Sequence, residues 1–217
     1  MAKKVKSYSE GELQKMFALV RLRGNHAHPE MLRWTSVAPT QLDEYEIRLF
    51  EKTFTNALKN IEGWQEEDLK IKLITPVLII SRLDDTDVYS SFYERTLEAT
   101  IDGYFLKTKT DYMLAKGTFG IPENPYFHFQ EYKPHRTPSG DSMAQLLEAM
   151  LIAQQRNNNQ KNIYGCEVIG AAWRFVVLHE RTYCVSKAYE CTERDDLLQI
   201  IAILRHFKHI LETELLD

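Results

Sequence analysis

The spacing of hydrophobic residues changes period along the chain. In its first third they recur at helical spacing. "SEGELQKMFALVRLRG", residues 9–24, predicts a helix with Ser9 as N-cap and Gly24 as its stop. "NHAHPEMLRWTSVAPT" reads as a loop. In the next segment, Leu42, Tyr45, Ile47, Leu49, Phe50, Phe54 and Leu58 line a helical stripe that Gly63 ends. "QEEDLKIKLITPVLIISRL" then starts a further helix with carboxylates in its first turn, where the helix dipole favours them. Pro76 is expected to kink that helix or end its regular part, because it has no N–H to donate.

The middle of the chain turns to strand periodicity. "RTLEATIDGYFLKT", "KTDYMLAKG" and "PYFHFQEYKP" predict three strands. "SGDSMAQLLEAMLIAQQRNNN" predicts a helix with a Ser or Asp cap near residues 139–142. "IYGCEVIG" and "AWRFVVLHE" read as strands on either side of a Gly170 turn, followed by a short "TYCVSKAYE". "TERDDLLQIIAILRHFKHILETELL" closes the pattern as a helix starting near Thr192 or Glu193. Trp173, Phe175 and Val177 alternate on their strand and are expected in the core. This order argues for an α/β fold with a central mixed sheet flanked by helices. The expected division is an N-terminal helical extension, residues 1–60, and a core, residues 61–217.

Composition narrows the partners. Hydrophobic residues make up 44% and charged residues 27%, ordinary values for a globular protein. The formal net charge of −4 rules out a bulk basic coat, so contact with a nucleic acid would rest on local basic patches. No apolar run is long enough to span a membrane and no signal peptide is evident, so a cytoplasmic location is expected. Cys166, Cys184 and Cys191 lack metal-site spacing and read as reduced packing residues.

The chemistry concentrates in "YFHFQEYKPH". Residues two apart in a strand share a face, so Glu131 and Lys133 are expected side by side with Phe127 and Phe129. Tyr126, His128, Gln130 and Tyr132 would face the other way, and Pro134 would end the strand. If this strand pairs antiparallel with "KTDYMLAKG" about a turn centred near Ile121, Ala115 falls opposite Phe127 and Asp111 opposite Glu131. Asp111, Glu131 and Lys133 then converge at one rim of the sheet. Mg²⁺ (or Mn²⁺) takes a few carboxylate oxygens and keeps waters that substrate phosphate replaces, here at Asp111 and Glu131. A lysine beside it orients an attacking water and offsets charge in the transition state.

These residues resemble the PD-(D/E)xK nuclease superfamily, with Asp111 in "KTDYML" and Glu131 and Lys133 in "QEYK". The pattern is most similar to the N-terminal nuclease domain of type I restriction enzyme motor subunits. "QEEDLKIKLITPVL" resembles that domain's opening helix, with Glu66 at the matching glutamate, and "SMAQLLEAM" its later helix, with Gln145 at the matching glutamine. The likeness covers roughly residues 60–180. It departs from the pattern at Thr110, where a proline is usual, and at Ala149, where recombination-type relatives carry tyrosine. It implies a restriction-endonuclease-like core, a catalytic set of Asp111, Glu131, Lys133, Glu66 and Gln145, and metal-dependent hydrolysis of phosphodiester bonds in DNA. The alternative is an inactive nuclease-fold protein that binds nucleic acid or a protein partner, with a homodimer or partner subunit left open.

Each residue also has a plainer reading. Glu131 and Lys133 make an ordinary rim ion pair, Glu66 complements a helix dipole, and Gln145 is a solvated helix residue. Asp102 is the rival acid to Asp111, and Glu67 an alternative to Glu66. Lys107, Lys109, Lys116, His135 and Arg136 are candidate phosphate contacts. His26 and His28 could bind metal but read as an incidental loop pair, and His206 and His209, with no third ligand, read as surface or packing residues.

Overall fold

The computed structural model describes residues 7–39, 41–83, 86–135 and 140–216. The described strands form a mixed sheet in the order β1-β7-β6-β5-β4-β3-β2, with β8 paired to β6. They are β1 (Val20–Arg23), β2 (Ser90–Ile101), β3 (Tyr104–Thr118), β4 (Ile121–Lys133), β5 (Ile163–Ile169), β6 (Ala172–His179), β7 (Thr182–Val185) and β8 (Tyr189–Glu190). Helices α1 (Glu10–Phe17) and α6 (Ser142–Asn157) cover one face. On the other lie α2 (Pro29–Thr35), α3 (Glu44–Asn60), α4 (Glu66–Leu69), α5 (Thr75–Ile80) and α7 (Arg194–Ile210). Each face carries its own core. Met113, Phe129 and Val176 pack with α6, while Tyr112, Tyr164 and Phe175 pack with Trp34 and Phe207. Trp173, Phe175 and Val177 are in the second of these.

The expected α/β class and mixed sheet are present, with three local corrections. The helix read over residues 9–24 ends at Phe17, because Ala18 turns left-handed at φ 50°. The chain then enters β1, which pairs parallel with β7, so the first sixty residues supply an edge strand as well as helices. The segment after Gly24 contains α2, capped by His28 through its ring nitrogen. The strand read through "RTLEATIDGYFLKT" is two strands, β2 and β3, folded back at Asp102–Gly103, both at positive φ. A strand run interrupted by Asp-Gly is a hairpin signature.

Pro76 acts as expected, but upstream of itself. Residues Lys70–Ile74 form a π turn in which the Thr75 N–H reaches Lys70 O. The missing proline N–H leaves that carbonyl pattern free to widen before α5 resumes.

Near the site the expected β3–β4 register holds. Tyr112 pairs with Gln130, which sets Asp111 across from Glu131. Toward the turn it shifts, with Ala115 opposite Tyr126 and Thr118 opposite Ile121. The bulge turns Phe127 into the core on the α7 side and Tyr126 into the core under α6, reversing the expected faces of these two residues. Beyond it the alternation is restored, with Phe129 under α6 and Tyr132 on the far side.

A candidate active site at the rim of strands three and four

Glu131 comes from the last turn of pleat in β4, and its side chain is buried to 1% exposure. Asp111 reaches it from β3. The two carboxyl groups share a hydrogen bond, and Glu131 Oε1 is left buried with no partner. Burial, then the Asp111 charge, push the Glu131 carboxyl well above the usual carboxylate range, and Lys133 pulls it part of the way back.

Asp111 is held from two further sides. Its Oδ2 accepts the backbone N–H of Tyr132 at 2.8 Å. Its Oδ1 lies 3.1 Å from Lys70 Nζ. Lys70 also donates to Glu66 at 2.9 Å and to Glu94 at 2.7 Å. Burial works against the Lys70 charge, but the hydrogen bonds to Glu94 and Glu66 and the charge of Asp111 outweigh it and hold its pKa above the ordinary lysine value. Hydrogen bonds from Lys109 and Lys70 lower the Glu94 carboxyl to about 2.

Lys133 is 7% exposed, and its ammonium sits 3.9 Å from Glu66 Oε2. It lines a cavity of about 580 Å³ together with Lys107, Lys109, Gln145 and Glu148. Gln145 Oε1 is buried without a partner, so this residue is not a solvated helix position. The cavity places Gln145 on the Lys133 side of the site. Burial raises the Glu148 carboxyl to about 7, against a hydrogen bond from the Tyr8 backbone. Glu66 is brought to the site through Lys70 and Lys133, whereas Glu67 is mostly exposed and 3.8 Å from Lys70.

Of the other sequence candidates, Lys107 and Lys109 share the Lys133 cavity and the rest lie elsewhere. Asp102 is in the β2–β3 turn, bonded to Arg181 at 2.6 Å, and takes no part in the site. Lys107 and Lys109 pair with Glu98 and Glu94. Lys116 donates to the Leu216 carbonyl. His135 packs against Gly170, and Arg136 lies outside the described residues. His206 and His209 stack on each other, and His206 is bonded to the Trp34 carbonyl. All three cysteines are buried and unbridged.

Three contributors were not singled out in the sequence: Lys70, Glu94 and Glu167. Glu94 falls between Tyr93 and Arg95, which pair with Tyr112 and Thr110, and so stands beside Asp111. Glu167 pairs directly with Glu131 and is held by Ser142 at 2.6 Å and Arg174 at 3.1 Å. Acidic residues thus occupy one row across β2, β3, β4 and β5. Only the i,i+4 spacing of Glu66 and Lys70 was a visible signal, and that spacing marks many surface helix pairs.

No group of three or more His, Cys, Asp or Glu side chains among the described residues is gathered as a metal site. Two carboxylates still fit magnesium, which takes one or two and fills the rest of its shell with water and phosphate oxygens. The bare, buried Oε1 of Glu131 beside Asp111 is the donor such an ion would satisfy. No helix among the described residues is long and apolar enough to cross a membrane. No protein-family model matches the sequence, and no curated protein matches it.

Proposed function

We propose that this chain is a metal-dependent nuclease with a restriction-endonuclease-like core that hydrolyses phosphodiester bonds in DNA. The observation that carries the reading is the Asp111–Glu131 carboxyl pair, with one buried oxygen unpartnered and Lys133 next to it on the same strand. Asp111 and Glu131 would hold Mg²⁺ or Mn²⁺, whose bound charge polarises the phosphate and favours ionised water.

The residues divide the remaining work. A cation held there would favour the charged form of Glu131 that burial and Asp111 disfavour. Lys133 faces the cavity and offers its ammonium to orient the attacking water and to meet a non-bridging phosphate oxygen. Charge grows there as the water oxygen adds to phosphorus, before the bond to the leaving oxygen breaks and passes its electron pair to the leaving oxygen. Glu66, 3.9 Å away, keeps that ammonium oriented. Gln145, with its free side-chain oxygen on the same cavity, holds a donor such as the attacking water in line. Lys107 and Lys109 line the same cavity, paired with Glu98 and Glu94, and a DNA strand would have to draw them from those carboxylates.

A second reading is favoured by Lys70, whose ammonium already sits on Asp111 Oδ1. In that reading the lysine replaces the metal permanently, and the chain binds nucleic acid or a protein partner without cutting. The test is cleavage of linear, circular and single-stranded DNA with Mg²⁺, Mn²⁺ or chelator, using Lys133→Ala as control. Metal-dependent cleavage lost in the variant supports the nuclease. DNA binding without cleavage under every condition supports the second reading.

A further inference from the structure

Resting on the nuclease reading, we infer that Lys70 fills the position of a second cation, so that the site takes one divalent ion and not two. Metal-dependent phosphoryl transfer uses either one ion or a pair bridged by a shared carboxylate. Asp111 is the carboxylate that would bridge here, since it alone touches both Glu131 and the Glu66/Glu94 side of the site. Each of its oxygens already has a role. Oδ2 takes the Tyr132 N–H, and Oδ1 faces Lys70 at 3.1 Å.

The surroundings of Lys70 are those of a bound cation. Its ammonium lies within 3.1 Å of oxygens from three carboxylates, Glu66, Glu94 and Asp111, which come from α4, β2 and β3. An ammonium has three N–H bonds, and three carboxylates receive them. The side chain is 18% exposed, so water screens these contacts only in part. The lysine begins the π turn of residues 70–74.

A second divalent ion at these oxygens would have to push the Lys70 ammonium out of its carboxylates. Lys70 is thus a positioning residue. It holds Asp111 and Glu94 in place without taking part in bond breaking.

The experiment is a Mn²⁺ titration of the full chain by calorimetry, with electron paramagnetic resonance of the bound ion. The wild type is expected to bind one ion and to give an uncoupled mononuclear spectrum. Lys70→Met, of similar length and no charge, is expected to bind a second ion at Glu66, Glu94 and Asp111 and to show exchange coupling. Lys70→Arg keeps the charge and is expected to stay at one. Two coupled ions in the wild type would overturn the inference while leaving the nuclease reading intact, and this outcome needs no variant to fold. One ion of unchanged affinity in folded Lys70→Met would overturn it as well. No ion bound to any of the proteins would overturn it together with the nuclease reading.

Discussion

The backbone N–H of Tyr132 donates to Asp111 Oδ2 at 2.8 Å, tying the β3 carboxylate to the strand that carries Glu131 and Lys133. The bond needs an acceptor oxygen and no charge. Asp111→Asn keeps that oxygen but turns its amide NH2 toward the Lys70 ammonium, so some loss of thermal stability without loss of the fold is expected. The charge facing Lys70 and Glu131 is lost, and divalent ion affinity is expected to fall at least ~10-fold, about 1.4 kcal/mol. Calorimetry with Ca²⁺, which can occupy such a site without supporting turnover, checks this. Equal affinity in the two proteins would place the ion elsewhere.

Lys133→Ala is expected to lower cleavage by on the order of 10² or more, the scale of losing a positioned electrostatic group. It has a second consequence. The Lys133 charge lowers the Glu131 carboxyl from where burial and Asp111 push it, so its removal raises that carboxyl further. Metal binding in the variant is therefore expected to need a higher pH than in the wild type. Mn²⁺ affinity measured from pH 6 to 9 reads this, and an unshifted profile would mean that Lys133 does not act on Glu131. Lys133→Arg is expected to rescue cleavage only in part, because a guanidinium is bulkier and holds its protons.

What the sequence disclosed followed from parity and turn signals. Glu131 and Lys133 share a face because they are two apart, and Asp111 falls across from Glu131 because the β3–β4 register holds where Tyr112 meets Gln130. Parity failed where a bulge intervened. Phe127 and Tyr126 exchanged faces, and nothing in "NPYFHF" marks the shift except its proline. The first helix was read too long because hydrophobic spacing continues from Met16 to Leu22, while the break is a left-handed Ala18. Lys70 and Glu94 were hidden for another reason. Their meeting depends on the π turn and on the β2–β3 pairing, and both are tertiary facts. Asp-Gly at Asp102–Gly103, by contrast, is a hairpin signal visible in the sequence itself.

The β3–β4 turn tests the register that builds the site. Gly117 sits at φ 139°, and a Cβ there would stand 2.2 Å from the Ile121 carbonyl oxygen. That oxygen is backbone of the paired strand and cannot swing away. Gly117→Ala is expected to cost about 2 kcal/mol or more in urea denaturation. Gly120→Ala, whose Cβ would meet only the Arg95 guanidinium at 3.4 Å, is expected to cost about 1 kcal/mol, mainly for its φ of 75°. Equal costs would mean that the turn is not built as described.

Glu148 adds a stability change on the alkaline side. Burial raises its carboxyl from 4.5 to about 7. Between those values the folded chain holds more protons than the unfolded one, so stability is full below the lower value and falls as pH rises through the higher. Glu148→Gln stays neutral throughout. Its melting temperature is expected to exceed the wild type's by several degrees at pH 8, and the gap is expected to close at pH 4.5. A constant gap would mean that Glu148 does not titrate in this range.

His128 works in the opposite direction, behind the site. It stands on β4 three residues before Glu131, fully buried against Phe207, Trp34 and Tyr112. Tyr132 Oη donates to Gln130 Oε1, and Gln130 Nε2 donates to His128 Nε2 at 3.0 Å, so the imidazole acts as an acceptor and must be neutral. Burial alone lowers its pKa from 6.5 to about 3. The unfolded chain therefore binds a proton near pH 6.5 that the folded chain refuses until about pH 3. The stabilisation is complete above 6.5 and declines as pH falls through that window. His128→Phe removes the titration but leaves the Gln130 amide without its acceptor, a cost of about 1–3 kcal/mol at pH 8. By pH 5 the wild type has lost about 2 kcal/mol, from 1.5 pH units below 6.5 at 1.36 kcal/mol each, while the variant has lost nothing at this position. The difference between the two proteins in urea denaturation is therefore expected to shrink by about that amount from pH 8 to pH 5. A difference that stays constant would show that His128 is protonated in the fold, and the Tyr132–Gln130–His128 chain would then have to run the other way.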